Sequence, residues 1–164
     1  MNKGKIVFFC GKMGAGKTTK SKSVANDLNA ILLSEDEWLA SLYPNSIKSL
    51  EDYVKYSNLI KPQLKKLVQD ILSVGSNVVM DFPGNTVSQR NWFKEIYSEI
   101  DASHELIYIN VSDDICLAQI NKRRSQQPER SATDTVEMFH NMARYFEAPD
   151  VNEGFNVKIV GQNA

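Results

Sequence analysis

The chain of 164 residues is poor in cysteine, has no excess of charge and contains no long apolar run. Its two cysteines, Cys10 and Cys116, form no metal-type spacing, and we expect both to be reduced core residues, as is usual in cytoplasmic proteins. No apolar run reaches the roughly 18 residues of a membrane span. An apolar strand is predicted almost at the N-terminus, where a targeting segment would lie. These absences predict a cytoplasmic protein without a membrane partner.

The formal net charge of −1 leaves no basic excess to hold a long phosphate backbone, which disfavours nucleic acid as a partner. The chain also shows no repeat, no low-complexity tract and no long linker. Because this length suits one hydrophobic core, we predict a single domain over residues 1–164. The two histidines, His104 and His140, lack a partner in metal-ligand spacing, and we expect structural or surface roles for both.

A glycine-rich motif is the most informative feature that the sequence does contain. Residues 11–18 read Gly-Lys-Met-Gly-Ala-Gly-Lys-Thr, which completes the pattern of a phosphate-binding P-loop. Glycine permits backbone conformations in which successive N–H groups point at phosphate oxygens. Lys17 would place a charge between the β- and γ-phosphates, and Thr18 would ligate Mg²⁺. The residues expected to bind the nucleotide are Gly11, Met13, Gly14, Ala15, Gly16, Lys17, Thr18 and Thr19.

The surroundings of this motif are those that a P-loop requires. The apolar run 5–10 predicts a buried strand before it, and residues 19–28 predict a helix after it. The dipole of that helix would add to the attraction for phosphate. Strand, glycine loop and helix together predict that the protein binds a nucleoside triphosphate.

Strand and helix patterns alternate along the rest of the chain. Further strands are predicted over 30–33, 78–80, 106–111 and 155–160, and helices after Asp36 and over 50–74, 88–100, 113–124 and 133–146. Pro62 is expected to break or kink the helix over 50–74. The alternation predicts an α/β fold, a three-layer sandwich around a mostly parallel five-stranded sheet. Ligands would then bind outside the carboxyl ends of the strands.

Two acidic residues follow predicted strands at that edge. Asp81 ends the third strand and could hold Mg²⁺, contact an acceptor or lie in an ordinary turn. Asp36 follows the second strand and could take a proton from a hydroxyl. It could also cap the next helix, although Ser34 could provide that cap instead. We favour a functional role for both aspartates, whereas Glu35 and Glu37 are expected to be solvated or helix-capping.

The remaining polar residues give weaker evidence about the type of P-loop protein and about its site. A GTPase would read guanine with Asn-Lys-x-Asp, but the nearest string, residues 121–124, ends in arginine inside a predicted helix. Asn85 and Arg90 follow Asp81 and could contact an acceptor. Arg123 and Arg124, with Arg130 beyond them, could be a solvated charge run at the end of a helix or could meet phosphates. These alternatives remain open on the residues alone.

The chain resembles small P-loop kinases related to polynucleotide kinase, zeta toxin and chloramphenicol phosphotransferase, an AAA-type group of ATP-binding proteins. The resemblance covers nearly the whole chain and is specific at the P-loop and at residues 33–38. It implies the kinase type of P-loop nucleoside triphosphate hydrolase fold, ATP and Mg²⁺ as cofactors, and Asp36 as the base that removes the acceptor's proton. It also implies a lid near 122–134 whose Arg123 stabilises the transferred phosphoryl group. Gln119 stands where the family has its other lid arginine.

The expected function is therefore an ATP-dependent kinase whose acceptor is a hydroxyl of a small molecule. Tyr53, Tyr56 and Lys61 could line the acceptor cleft. Residues 34–76 contain no arginine, which disfavours a nucleotide monophosphate or a polynucleotide end as acceptor. The alternative is a nucleotide-dependent binding or regulatory protein with slow or no hydrolysis. The sequence leaves the acceptor and the oligomeric state open.

Overall fold

The computed structural model describes residues 2–128 and 134–161. In those ranges the chain forms five strands and six α-helices. The strands are β1 (Lys5–Cys10), β2 (Ile31–Ser34), β3 (Val78–Asp81), β4 (Ser103–Ile109) and β5 (Val157–Val160). The helices are α1 (Lys17–Leu28), α2 (Glu35–Leu42), α3 (Leu50–Ser73), α4 (Val87–Ser98), α5 (Asp113–Gln126) and α6 (Val136–Ala143). None of these helices is long and apolar enough to cross a membrane.

All five strands lie in one sheet with the order β2-β3-β1-β4-β5, and every neighbouring pair is parallel. Parallel neighbours need long crossover connections, which the intervening helices provide. Ile6 to Cys10 of the central strand are fully buried, so β1 is a continuous apolar run rather than an alternating one. The predicted α/β fold is confirmed, with a sheet that is parallel throughout its described strands.

The side chains of β1 divide the core into two halves, one on each face of the sheet. Phe8 packs against Leu64 of α3 and stacks on Phe93 of α4, with ring centroids 4.5 Å apart. Phe9 points to the opposite face, where it joins a cluster with residues of α1, α5 and α6. Helices therefore cover both faces, which confirms the predicted three layers.

Of the break or kink expected at Pro62, the structure contradicts the break. The helix runs unbroken for 24 residues with Pro62 inside it. Proline removes one backbone N–H donor, but tertiary packing can hold the two halves in line. Ile60 and Leu64 are buried on either side of Pro62 and belong to the same core cluster. Burial along one face thus outweighs the lost hydrogen bond.

The carboxyl ends of the central strands bring the predicted site residues to one edge. Ser34, the last residue of β2, lies beside Asp81, the last residue of β3, in the parallel register. β1 ends next to β3, and the P-loop follows it directly. The fold therefore places the P-loop, the start of α2 and Asp81 around the same edge of the sheet.

Candidate active site

The P-loop owes its shape to glycines in the left-handed region. Gly14 has φ +82° and Gly16 has φ +98°. A Cβ atom on Gly14 would lie 2.5 Å from the carbonyl oxygen of Cys116, so the loop packs directly onto α5. Gly16 also precedes α1 without a side-chain cap for the helix. The first N–H groups of α1 can therefore bind an anion such as phosphate.

Asn85 fixes the beginning of this loop from outside it. Its Oδ1 accepts a hydrogen bond from the backbone N–H of Gly11 at 2.9 Å. Its own N–H donates to Oε1 of Gln89 at 2.8 Å, which anchors it to α4. We had considered Asn85 as an acceptor contact. The structure gives the Oδ1 of this side chain a supporting role at the start of the P-loop, and the acceptor contact stays a prediction.

The two predicted metal ligands lie in direct contact. The Thr18 hydroxyl donates to Oδ2 of Asp81 at 2.9 Å. Burial raises the pKa of Asp81, while the Lys17 charge and the Thr18 hydrogen bond act in the opposite direction. A hydroxyl and a carboxylate are oxygen ligands of the kind that Mg²⁺ prefers. The pair fits a magnesium site beside the phosphate loop, and its assignment to metal stays a prediction.

Asp36 lies in the first turn of α2 and is not the cap of that helix. The cap is Ser34, whose hydroxyl accepts a hydrogen bond from the N–H of Glu37 at 3.4 Å. Asp36 is exposed, and its charge contributes to raising the pKa of Asp81. The predicted base and the predicted metal ligand are thus electrostatically coupled across the sheet edge. The role of Asp36 as a base stays a prediction.

Glu35 differs from our expectation of a solvated or capping residue. Only 3% of its surface is exposed. Tyr53 donates a hydrogen bond to its Oε1, and Ser57 donates to its Oε2 at 2.8 Å. Burial raises the pKa of Glu35, and these two hydrogen bonds oppose that rise. The sequence pattern missed this arrangement because the partners lie 18 and 22 residues further along the chain.

Arg90 does not serve as the acceptor contact that we considered. Its side chain is fully buried and forms an ion pair with Glu153, with Nε 2.9 Å from Oε1. Its Nη1 also donates to the carbonyl oxygen of Gly84 at 2.9 Å. A guanidinium enclosed by carboxylate and carbonyl partners has a structural role: it connects α4 to Glu153 and to the loop at Gly84. The prediction for Arg90 was wrong.

Arg123 is paired with a buried carboxylate. Its Nε and Nη2 donate to the two oxygens of Asp134 at 2.7 and 2.9 Å. The side chain of Asp134 is 1% exposed, whereas that of Arg123 is 29% exposed. Arg124 is exposed near the end of α5, and Arg130 lies outside the described residues. Because the proposed lid at 122–134 is only partly described, the lid and its arginines stay predictions.

The expected acceptor-side residues on α3 have different surroundings. Tyr53 is bonded to Glu35, and Tyr56 packs on Tyr43 with ring centroids 4.4 Å apart. Lys61 lies over the ring of Trp92, with Nζ 5.5 Å from the centroid. Tyr53 and Tyr56 thus give α3 an aromatic and hydroxyl-bearing surface on the side where it packs near α2.

An open surface pocket of about 580 Å³ lies where Lys12 of the P-loop meets residues of α5 and α6. Lys12 reaches into it from the loop and forms an ion pair with Asp113 at 3.0 Å. Its remaining lining residues are His140, Asn141, Ala143 and Arg144. The sequence analysis missed Lys12 because it occupies a position that the motif leaves free. It missed Arg144 because no pattern in the sequence connects it to the P-loop.

Fold and site together define a P-loop protein of the kinase type. The APS kinase CysC of Mycobacterium tuberculosis, solved with AMPPNP and APS, has a similar structure, with a TM-score of 0.70 and 15% identity over 100% of this chain and 91% of that one. Kti12 of Chaetomium thermophilum, solved with ADP-AlF3, gives 0.68 and 15% over 95% and 88%. A sugar kinase of a Janibacter species gives 0.61 and 12% over 96% and 85%. At these identities the likeness concerns the fold.

Residues 6–149 match the AAA domain family AAA_33. This match spans most of the chain, and the protein therefore belongs to that family. A search of the curated proteins found no match to the sequence. The resemblance to small P-loop kinases that the P-loop and residues 33–38 indicated is confirmed at the level of family and fold.

Proposed function

We propose that this protein transfers the γ-phosphoryl group of ATP to a hydroxyl group of a small molecule. The observation that carries the proposal is the hydrogen bond between Thr18 and Asp81 beside Lys17, next to the turn that bears Asp36. Phosphoryl transfer requires a P-loop, ligands for Mg²⁺ and a further carboxylate that can act as a base. In this chain they come from the carboxyl ends of three neighbouring strands.

The P-loop would hold the nucleotide. Its backbone N–H groups and the start of α1 would bind the phosphates, and Lys17 would neutralise charge between the β- and γ-phosphates. Mg²⁺, when bound, would be held by Thr18 and Asp81 and would neutralise further charge on the phosphate oxygens. Most of the catalytic effect would arise from positioning and charge stabilisation rather than from covalent chemistry.

Asp36 would act as the base. As the acceptor oxygen attacks the γ-phosphorus, its proton would move to a carboxylate oxygen of Asp36, and the bond between phosphorus and the ADP oxygen would break. Its position in the first turn of α2, at the edge of the sheet where β3 ends in Asp81, supports this role, because an acceptor would approach the γ-phosphate at that edge. Ser34 already caps α2, so helix capping does not require Asp36.

Arg123 would stabilise charge on the transferred group. A planar guanidinium can bind phosphate oxygens in the same two-pronged manner in which it now binds Asp134. The ion pair with Asp134 would then have to exchange for an interaction with phosphate. Cleft closure of this kind would also exclude water, which otherwise competes with the acceptor.

A small acceptor fits the side of the cleft that α2 and α3 form, because those helices carry no arginine. The similar structures include an APS kinase and a sugar kinase, both named for small substrates. Residues 34–76, which include α2 and α3, contain no arginine with which to hold the phosphate of a nucleotide monophosphate or of a polynucleotide end. The aromatic and hydroxyl groups of α3 suit an acceptor that carries hydroxyls and some apolar surface.

An untargeted mass-spectrometric screen tests this proposal. Wild-type protein, Asp36→Asn and Glu37→Gln would each be incubated with Mg·ATP and a cellular metabolite extract. Glu37 is the matched control, because it is an exposed carboxylate in the same helical turn. We expect one compound to gain a phosphoryl group with wild type and Glu37→Gln, and to gain it about a hundredfold or more slowly with Asp36→Asn.

Two other outcomes would count against the proposal. Equal product formation by Asp36→Asn would remove Asp36 as the base while leaving kinase activity intact. Tight binding of Mg·ATP with no phosphorylated product in extracts from several growth conditions would favour a nucleotide-dependent binding or regulatory protein.

A further inference from the structure

Glu35 is a buried carboxyl group next to the proposed base, and the proposed reaction makes no use of it. It is the first residue of α2, and 3% of its surface is exposed. Burial of a carboxyl group costs free energy unless hydrogen bonds compensate it. The presence of the carboxyl group therefore requires an explanation in its contacts.

Those contacts connect α2 to α3. The Tyr53 hydroxyl donates to Oε1 of Glu35, and the Ser57 hydroxyl donates to Oε2 at 2.8 Å. Tyr53 and Ser57 are four residues apart on α3, so their side chains lie on one face of that helix. Both oxygens of a single carboxylate are thereby attached to one rigid element. Two directional bonds restrain the orientation of Glu35 more closely than apolar packing would.

The first turn of α2 depends on such restraint. The helix has only eight residues, and a helix of that length is not stable by itself. Its cap bond between Ser34 and the N–H of Glu37 is long at 3.4 Å. By contrast, α3 has 24 residues and five buried positions along its length. The packed helix α3 can therefore restrain the position of the shorter helix α2.

We propose that Glu35 is a positioning residue whose hydrogen bonds to Tyr53 and Ser57 hold the first turn of α2 and so fix the direction of the Asp36 carboxylate. Glu35 and Asp36 are consecutive in that turn, so a movement of its backbone that shifts Glu35 also shifts Asp36. The inference rests on the proposed function in one respect only, namely that Asp36 takes the proton of the acceptor. The attachment of α2 to α3 does not depend on it.

Hydroxyl deletions on α3 test the proposal without disturbing the P-loop. Tyr53→Phe and Ser57→Ala each remove one donor to Glu35. Tyr97→Phe is the matched control, because it deletes a tyrosine hydroxyl on α4, away from the proposed site, and phenylalanine preserves the stacking of its ring on His104. We expect Tyr53→Phe and Ser57→Ala to lower kcat about tenfold, since small displacements of a catalytic group have effects of this size. The KM for ATP should stay unchanged, and the control should behave as wild type.

The rate would be measured as transfer of the γ-phosphoryl group of ATP to acceptors in the metabolite extract at saturating Mg·ATP. The same deletions would then be made in Asp36→Asn. If Glu35 acts through Asp36, Tyr53→Phe should slow the residual transfer less than about twofold in that background, because coupled residues are not additive. An equal loss in both backgrounds would mean that Tyr53 and Glu35 contribute to the fold alone, and would overturn the proposal.

Conservative replacement gives a second readout. Glu35→Gln keeps an oxygen that accepts from Tyr53 and an amide that can pair with Ser57, so it should retain most of the activity. Glu35→Ala should lose as much activity as Tyr53→Phe. Activity of Glu35→Ala at the wild-type level would contradict the proposal.

Amide hydrogen exchange of the apoprotein separates this inference from the proposed function. We expect Tyr53→Phe to raise the exchange rate of residues 38–42, whose N–H groups are hydrogen-bonded within α2, about tenfold, with no change in the P-loop or in Tyr97→Phe. If Asp36→Asn transfers phosphate at the wild-type rate while exchange rises as expected, Asp36 is not the base but Glu35 still holds the turn. Unchanged exchange in Tyr53→Phe and Ser57→Ala would overturn the positioning role itself.

Discussion

At the residue scale, the hydrogen bond between Thr18 and Asp81 allows the metal role to be separated from a structural one. Asp81→Asn keeps an oxygen that accepts from Thr18, so the fold should persist. The substitution removes the negative charge that would balance Mg²⁺. We expect the affinity for Mg·ATP to fall by about tenfold or more, which corresponds to about 1.4 kcal/mol.

Calorimetric titration with Mg·ATP, and with ATP in the presence of a chelator, measures this change. The loss should be confined to the magnesium complex. If the affinity of Asp81→Asn for both forms of ATP equals that of wild type, Asp81 is an ordinary turn residue.

Glu35 gives a pH-dependent prediction at the same scale. Burial raises its pKa in the folded protein above the unfolded value, so folding favours the protonated form. Its ionisation therefore costs stability once the pH exceeds the unfolded value, and this cost is absent in acid. Glu35→Gln, which cannot ionise, should be more stable than wild type at pH 8 by about 1 kcal/mol, or roughly 3 °C in Tm.

Thermal unfolding of both proteins at pH 8 and pH 4 provides the measurement. The advantage of Glu35→Gln should shrink toward pH 4, where wild type is protonated in both states. A constant difference at the two pH values would contradict the expected ionisation.

Residue-scale features were predictable where the chemistry is local. The P-loop was recognisable because its glycines, Lys17 and Thr18 are contiguous, and Ser34 could be weighed as a cap because its partner lies three residues on. The burial of Glu35 and the pairing of Arg90 with Glu153 depend on partners 18 to 63 residues away. No periodicity encodes such contacts, so the sequence analysis misjudged both side chains.

At the element scale, the P-loop and α5 are fitted to each other through Gly14. Alanine there would adopt φ +82° at a cost of about 1–2 kcal/mol, and its Cβ would also meet the carbonyl oxygen of Cys116. Gly16→Ala is the matched control, because φ is +98° but no atom lies within 4 Å of the added Cβ. Gly14→Ala should therefore lose more stability than Gly16→Ala, by about 1 kcal/mol or more.

Urea unfolding of the two variants compares these losses. Because strain in the left-handed region is common to both, the difference isolates the contact with α5. Equal losses of stability in the two variants would mean that the P-loop can move away from α5 without a cost in free energy.

The identity of the elements was more predictable than their arrangement. Alternating apolar runs indicated the strands and helices, and the structure has them within a few residues of the expected bounds, except that α6 is shorter than residues 133–146. The strand order β2-β3-β1-β4-β5 was not predictable, because every order of parallel strands has the same alternating sequence pattern. Pro62 was misjudged because a local helix penalty was weighed without the packing of Ile60 and Leu64.

At the scale of the whole molecule, Arg90 and Glu153 connect α4 to the segment before β5. Burial raises the pKa of Glu153, but the hydrogen bond and charge of Arg90 outweigh it, and the pKa lies below its ordinary value of 4.5. The ionised form therefore stabilises the fold above that value, and the stabilisation is lost as the pH falls through the lower folded pKa. Glu153→Gln should cost about 3 kcal/mol at pH 7, because it leaves the buried Arg90 charge unpaired.

Urea unfolding at pH 7 and below pH 4 tests this expectation. The difference between wild type and Glu153→Gln should narrow in acid, where the wild-type carboxyl is protonated as well. A difference that grows in acid would contradict the assigned sign.

The whole molecule is organised around one edge of a parallel sheet, where the P-loop, the start of α2 and Asp81 meet. The central claim is that this edge transfers a phosphoryl group from ATP to an organic hydroxyl. The most direct measurement is the fate of the γ-phosphoryl group, followed with γ-³²P-labelled Mg·ATP and metabolite extract in wild type and in Asp36→Asn. We predict that wild type moves the label into an organic phosphate as ADP forms in equal amount, and that Asp36→Asn does so about a hundredfold or more slowly. Label that stays in ATP, or that appears only as inorganic phosphate, would contradict the account.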